Sequence, residues 1–321
     1  MIEKDVISTR DAFGNALLRI AERNPMVVGI GADTTKSMGM KKLQEKYPER
    51  VINIGIAEQN MTAVAAGMAA TGFQVYAASY APFSTLRAAE QARTFIAYPN
   101  LDVKIVGGLS GLSGDIEGVT HQGLEDVAVM RAIPNMTVVV PADAAATEVI
   151  TEAIAELHGP VYLRLGRNPS EKVFGAGYKF QVGKANVLKA EGSDGAVICN
   201  GAIVGRALRA VELLENEGIY LRVIEMPCVK PLDIDAVAEA AATGAVVTVE
   251  EHNIIGGLGG AVAEALGERR PARLLRVGIA DTFTESAPHG ELLDKYGFRP
   301  EDMAKRIGRF LSEAIQPKAE G

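Results

Sequence analysis

Val51-Ile-Asn-Ile-Gly55-Ile-Ala-Glu58-Gln-Asn-Met61-Thr-Ala-Val-Ala-Ala-Gly-Met-Ala-Ala70-Thr-Gly-Phe73-Gln-Val-Tyr-Ala-Ala-Ser79 is the stretch that decides the fold class. Residues 51–54 are a short, mostly apolar run closed by Gly55, which reads as a buried strand. Residues 57–70 are rich in alanine, the strongest helix former. Residues 73–79 return to a strand pattern after Thr71-Gly72. Strand, helix and strand at this spacing form a βαβ unit, the building block of a parallel sheet.

The alternation extends in both directions. Residues 9–23 set Ala12, Phe13, Ala16, Leu17 and Ile20 on one helical face. Residues 26–30 form an apolar run ending in Gly31, and residues 103–106, 137–140 and 161–165 read as further strands. Helices are expected over 86–97 and 144–157. Between 166 and 183 the periodicity lapses into Gly, Pro, Ser and Lys, the composition of a linker. A second set follows, with strands at 196–199, 221–225, 245–249 and 274–278 and helices at 206–217, 257–266 and 300–314. The expected fold class is α/β, with two domains, each a mostly parallel sheet flanked by helices. Their expected limits are 1–170 and 184–321, joined by a linker over 171–183.

The length of 321 residues suits two domains. With 33 basic and 40 acidic residues the net charge is −7, which argues against a general affinity for nucleic acid or an anionic membrane. Cys199 and Cys228 have no metal-type spacing and read as reduced, buried thiols. No apolar segment follows the N-terminal charges, and no apolar run is long enough to cross a membrane, so a cytoplasmic protein is expected.

Four constellations could carry chemistry. Glu58 opens the small-residue helix just beyond a strand end, where open α/β sheets bind ligands. An acidic residue in a first turn is also what the helix dipole favours unaided. The Gly/Ser-rich loop after residue 106 holds Asp115, Glu117 and His121, a set suited to proton transfer or polyol binding, or to a solvated surface loop. Arg10, Thr34-Thr35-Lys36-Ser37 and Arg164 with Arg167 fall near element ends, where arginine can hold phosphate, although each alone is more often a surface residue. Gly256-Gly-Leu-Gly-Gly260 fails the dinucleotide spacing at Val262 and reads as tight helix–strand packing. His158, beside Gly159-Pro160, is expected to cap a helix C-terminus, and His252 and His289 are expected in turns without a clear partner. Neither a P-loop nor a nucleophile-elbow motif occurs.

Ile54-Gly-Ile-Ala-Glu58-Gln-Asn-Met, Ser79-Tyr-Ala-Pro-Phe83, Glu117-Gly-Val-Thr-His121-Gln and Pro134-Asn-Met-Thr-Val-Val-Val-Pro-Ala-Asp143 together resemble the pyrimidine-binding domain of transketolases. Val249-Glu-Glu-His-Asn-Ile-Ile-Gly-Gly-Leu-Gly-Gly resembles their C-terminal domain. The similarity runs in order along nearly the whole chain. A full transketolase is about twice as long, and its N-terminal domain holds the diphosphate and Mg²⁺ of thiamine diphosphate through a Gly-Asp-Gly…Asn motif that is absent here. The resemblance therefore implies the C-terminal half of a split transketolase, with Mg²⁺ held by an N-terminal partner chain in an α2β2 assembly and no metal site of its own.

The same resemblance implies roles for individual residues. Glu58 matches the glutamate that bonds the cofactor's aminopyrimidine ring and favours its activating tautomer. Phe83 matches the start of the aromatic wall against that ring, which Leu86 and Ala89 do not continue, and Asp33 lies in a stretch close to the cofactor. His121 matches a histidine near the transferred two-carbon unit, and Glu117 replaces an aspartate that reads a substrate hydroxyl. Arg10, Ser37 and Arg167 match residues holding the sugar phosphate. Leu109 stands where the family carries a second substrate histidine, which implies a preference for a donor or acceptor other than the usual pentose phosphates. The implied reaction is transfer of a two-carbon ketol unit between sugar phosphates. The rivals are a deoxyxylulose-phosphate synthase-like or 2-oxo acid dehydrogenase β-type subunit and, in another class, a non-catalytic regulatory relic of the fold.

Overall fold

The computed structural model describes residues 7–315. Two sheets organise them. The first has the order β10-β5-β6-β4-β3-β1-β2, built from β1 (Val27–Gly31), β2 (Val51–Asn53), β3 (Gln74–Tyr80), β4 (Val103–Gly108), β5 (Thr137–Val139), β6 (Val161–Arg164) and, from much later in the chain, β10 (Cys228–Lys230). The second has the order β12-β11-β8-β9-β7, from β7 (Asn186–Lys189), β8 (Gly195–Cys199), β9 (Leu221–Glu225), β11 (Ala245–Asn253) and β12 (Arg273–Ile279). All pairings are parallel except β10 with β5 and β7 with β9. Among the described residues no helix is long and apolar enough to cross a membrane.

Helices cover both faces of the first sheet, and this explains why β1, β4 and β6 are buried at every position. On one face α1 (Thr9–Arg23) and α6 (Ala144–Ala155) pack Phe13, Leu17, Ile150 and Ile154 against Tyr76 and Val106. On the other, α3 (Glu58–Ala70) and the 92–97 segment pack Met61, Ala65 and Ile96 against Val28, Ile30 and Ile105. Each fully buried large side chain contributes roughly 1.5–3 kcal/mol. Ser8 caps α1 by accepting from the Asp11 N–H, and Asp143 caps α6 by accepting from the Ala146 N–H.

The expected helix at 86–97 is not regular. The chain forms a π-helical turn over Phe83–Arg87, a short α4 (Ala89–Gln91) and a second π-helical turn over Ala92–Ala97. Such widened turns recur at functional sites, and this one begins at Phe83. The segment 171–183 has one isolated bridge and no helix, yet the Phe174 and Tyr178 rings meet at a tilt, 4.4 Å between centres, and pack on the core under α1 and α6. Asp143 also accepts from the backbone of Val173 and Phe174, which fixes the segment to the start of α6.

Two glycines position the turn after β1. A side chain at Gly14, inside α1, would meet the Gly39 carbonyl oxygen at 2.1 Å. Gly39 has φ +77° and lies against the Arg10 carbonyl. Their bareness lets residues 34–39 lie on α1, and so brings Ser37 to Arg10.

Candidate active site

The carboxyl ends of β6, β4, β3, β1 and β2 line up across the first sheet. Beyond them stand, in that order, Arg167, the loop bearing Glu117 and His121, Phe83, the Asp33–Ser37 turn and Glu58. β1 and β3 are neighbours from which the chain departs in opposite directions, the kind of crevice where open α/β sheets bind ligands.

Glu58 is the first residue of α3 and is 2% exposed. Its Oε2 accepts a hydrogen bond from Arg87 Nη1 at 2.7 Å. The Arg87 guanidinium lies over the Phe83 ring, 4.3 Å from its centre. Phe83 meets His121 edge-on at 5.1 Å and Tyr80 at 5.8 Å, and Tyr80 and His121 are 5.7 Å apart. The Tyr80 hydroxyl donates to Ser37 Oγ at 3.2 Å, while Arg10 Nη1 donates to the Ser37 carbonyl at 2.9 Å. Glu58, Phe83, His121, Ser37 and Arg10 thus belong to one unbroken line of contacts.

Asp33 sits at the side of this line. Its N–H donates to Asn53 Oδ1 at 2.8 Å, the same oxygen that accepts from the Gly55 N–H, so it is tied to the entrance of α3. Asp33 has φ +61°, a strained value for a residue with a side chain, and it is exposed. Arg167 does not join Arg10 and Ser37. Its Nη1 donates to Glu117 Oε1 at 3.0 Å. The backbones are nonetheless adjacent, because Thr9 Oγ1 donates to the Gly166 carbonyl and accepts from its N–H. Arg10 Nε is buried without a hydrogen-bond partner, an unfilled donor beside the Ser37 turn.

Several sequence expectations are corrected here. Arg164 is no phosphate ligand. It is buried, its Nε donating to Asp126 Oδ2 at 2.8 Å and its Nη2 to the carbonyls of Gly123 and Glu251. Tyr162 also donates to Asp126 Oδ2, at 2.6 Å. Burial pushes the Asp126 carboxyl up, but Arg164 and His252 outweigh it and hold the group below its ordinary value. His252 lies within β11, buried, not in a turn. His289 opens α10 (His289–Lys295), and its Nε2 is 3.2 Å from Glu251 Oε1. Helix α6 ends at Ala155, with Glu156 as its cap, so His158 caps nothing there. Leu109, expected to alter substrate choice, follows β4 at φ +53° and is 1% exposed, so its side chain is enclosed and not presented to a substrate.

Tyr80, Arg87 and Asn53 were not singled out from sequence. Arg87 follows Phe83 by four residues, and that spacing is the signal that could have paired them. The glycine run behaves as expected. Glu250 accepts from the N–H groups of Leu258 and Gly259, both at 2.7 Å, at the start of α9 (Leu258–Arg269), and a side chain on Gly257 would strike that carboxylate. Among the described residues no group of three His, Cys, Asp or Glu could hold a metal ion.

The second sheet fixes the loop that carries His121. Leu112 N–H donates to Glu251 Oε1 at 2.6 Å, Gln122 Nε2 to the Glu285 carbonyl at 2.9 Å, and Asn253 N–H to the Leu124 carbonyl at 2.9 Å. Thr284 also hydrogen-bonds the Gln122 side chain.

Comparisons with known proteins agree with the α/β fold of two parallel-sheet domains. Residues 5–171 match the family model described as transketolase, pyrimidine binding domain, and residues 183–303 match transketolase, C-terminal domain. The chain is 41% identical over 301 residues to a putative transketolase C-terminal section of Methanocaldococcus jannaschii, covering 93% of this chain and 94% of that protein. It is 39% identical to a 6-deoxy-6-sulfo-D-fructose transketolase subunit of a Clostridium species, covering 96% and 95%. A solved split-gene transketolase, described as an inactive beta4 tetramer, superposes with a TM-score of 0.88 at 44% identity, covering 95% of this chain and 99% of that one. The chain belongs to the transketolase family and carries its pyrimidine-binding and C-terminal domains.

Proposed function

We propose that this chain is the C-terminal subunit of a two-chain transketolase that moves a two-carbon ketol unit from a ketose phosphate to an aldose phosphate with thiamine diphosphate. The observation that carries this reading is the unbroken line from the buried Glu58 carboxylate through Phe83 and His121 to Ser37 and Arg10. A buried carboxylate beside an aromatic ring suits the pyrimidine end of the cofactor, one group meeting a ring nitrogen and the other a ring plane. Among the described residues no donor other than Arg87 reaches Glu58, so its Oε1 is left for a ligand.

Bound there, thiamine diphosphate supplies the nucleophilic carbon that accepts and releases the two-carbon unit. Glu58 holds or moves a proton at the pyrimidine ring nitrogen, and Phe83 with Asp33 bounds the ring. His121 has Nδ1 engaged by Thr120 Oγ1 at 2.9 Å, which leaves Nε2 to hydrogen-bond substrate near the transferred unit. Arg10 and Ser37 take the anionic tail of the sugar, and Arg167 with Glu117 borders the same path. Mg²⁺ and the diphosphate belong to an N-terminal partner chain, in an α2β2 assembly placed in the cytoplasm. The inactive beta4 tetramer of the split-gene relative supports the need for a second chain. The sulfosugar named for the Clostridium relative favours a site whose anionic tail is not restricted to the usual pentose phosphates.

The test is ketol transfer by the chain reconstituted with its N-terminal partner. Glu58→Gln is expected to lower turnover by about 10²–10⁴-fold without loss of assembly, because an amide cannot relay the proton. Wild-type turnover in the assembled variant would refute the role. Release of CO₂ from pyruvate would instead identify a decarboxylating relative.

A further inference from the structure

Arg87 occupies an unexpected position. Its planar guanidinium gives an N–H to Glu58 Oε2 at 2.7 Å and lies over the Phe83 ring at 4.3 Å. Those are the two contacts a cofactor aminopyrimidine needs here, an N–H donor to the carboxylate and a flat group on the aromatic face. We propose that Arg87 holds the pyrimidine seat in the free chain, and that cofactor uptake requires its guanidinium to leave the Phe83 face. The inference rests on the reading of Glu58 and Phe83 given above.

Three features support an exchange over a fixed structural bond. The π-helical turn of Phe83–Arg87 places the two side chains together without further support. The Arg87 side chain is 48% exposed and, among the described residues, hydrogen-bonds nothing but Glu58, so nothing else holds it once a ligand takes over the bond to that carboxylate. Tyr80 and His121 already flank the Phe83 ring, which makes the face under Arg87 the valuable one. The arrangement also answers a physical need, since it keeps the buried carboxylate paired while no ligand is present. A seat that is open only one tenth of the time lowers apparent affinity about tenfold.

The experiment is calorimetric titration of thiamine diphosphate into the complex with the N-terminal partner, comparing wild type with Arg87→Ala and Arg87→Lys. Arg87→Ala is expected to bind about three- to tenfold more tightly, and Arg87→Lys, which keeps the charge but not the plane, to fall between. Low-millimolar guanidinium is expected to refill the vacated seat and compete with the cofactor in Arg87→Ala, while leaving wild-type affinity unchanged. Binding that is unchanged or weaker in both variants, with wild-type uptake intact, overturns the exchange and makes Arg87 a support for the bound ring. A wild-type complex that takes up no thiamine diphosphate overturns the reading of the site, and this inference with it.

Discussion

Glu225 gives the chain a pH dependence of stability that one substitution should remove. The residue lies on β9 with its side chain fully enclosed. Tyr178, from the segment joining the two sheets, directs its hydroxyl at both carboxylate oxygens at 3.2 Å, and Asn186 Nδ2 donates to Oε2 at 2.8 Å. Burial outweighs these bonds and pushes the carboxyl from 4.5 up to about 7. The native state therefore favours protonated Glu225 more than the unfolded chain does. The resulting stabilisation is complete below pH 4.5 and is lost as pH rises through about 7. A shift of that size corresponds to stability on the order of 3 kcal/mol. Glu225→Gln mimics the protonated form at every pH, so it should not show this loss. Guanidinium denaturation followed by circular dichroism, from about pH 5 to about pH 8, compares the two proteins. The wild type is expected to lose stability relative to Glu225→Gln across that range, most steeply between the unfolded and native values and levelling off above about 7. Denaturation midpoints that run parallel for the two proteins would refute the reasoning.

Two further perturbations test other parts of the structure. Arg164→Met strands the buried Asp126 carboxylate and should cost about 3–5 kcal/mol, whereas Arg164→Met combined with Asp126→Leu should recover most of that loss; thermal denaturation of the single and double variants checks it. Leu109→His places an unpaired polar ring in an enclosed position and should destabilise the chain by roughly 1–3 kcal/mol without redirecting substrate preference, which a thermal melt and a panel of sugar phosphates on the reconstituted complex measure together.

The fold was legible wherever burial on both faces leaves its mark on sequence. Strands such as β4 and β8 are apolar at nearly every position because helices cover them on each side. β10 left no such mark. It has three residues, and its partner β5 lies about ninety positions earlier, so tertiary pairing alone creates it. The 86–97 segment has helical composition, but Leu86 stays exposed and the turns at Phe83 and Ala92 widen to the π form, which apolar spacing does not encode. At the site, Glu58, Phe83 and His121 stood out by motif. Arg164 and Arg167 looked alike, since both fall near the end of an apolar strand. What separates them is the covering of β6 by β11, which buries the first and leaves the second at the surface.

That covering gives the second domain a part in the chemistry proposed for the first. The loop from Ser110 to Gly123 contains left-handed residues at Gly111, Asp115 and Gly118, and its single bridge joins its own two ends. Such a loop has little intrinsic reason to hold His121 in one place. Its order comes from outside, through Glu251 on β11 at one end and the 284–285 segment at the other. Glu251 suits the task, because His289, Arg164 and the Leu112 N–H outweigh the upward pull of burial and hold its carboxyl below the ordinary value. A charged acceptor makes stronger hydrogen bonds to backbone N–H than a neutral one. The acidic pair at 250–251 therefore divides its work, Glu250 capping α9 within its own domain and Glu251 holding the loop that aims His121 at Phe83 and Tyr80.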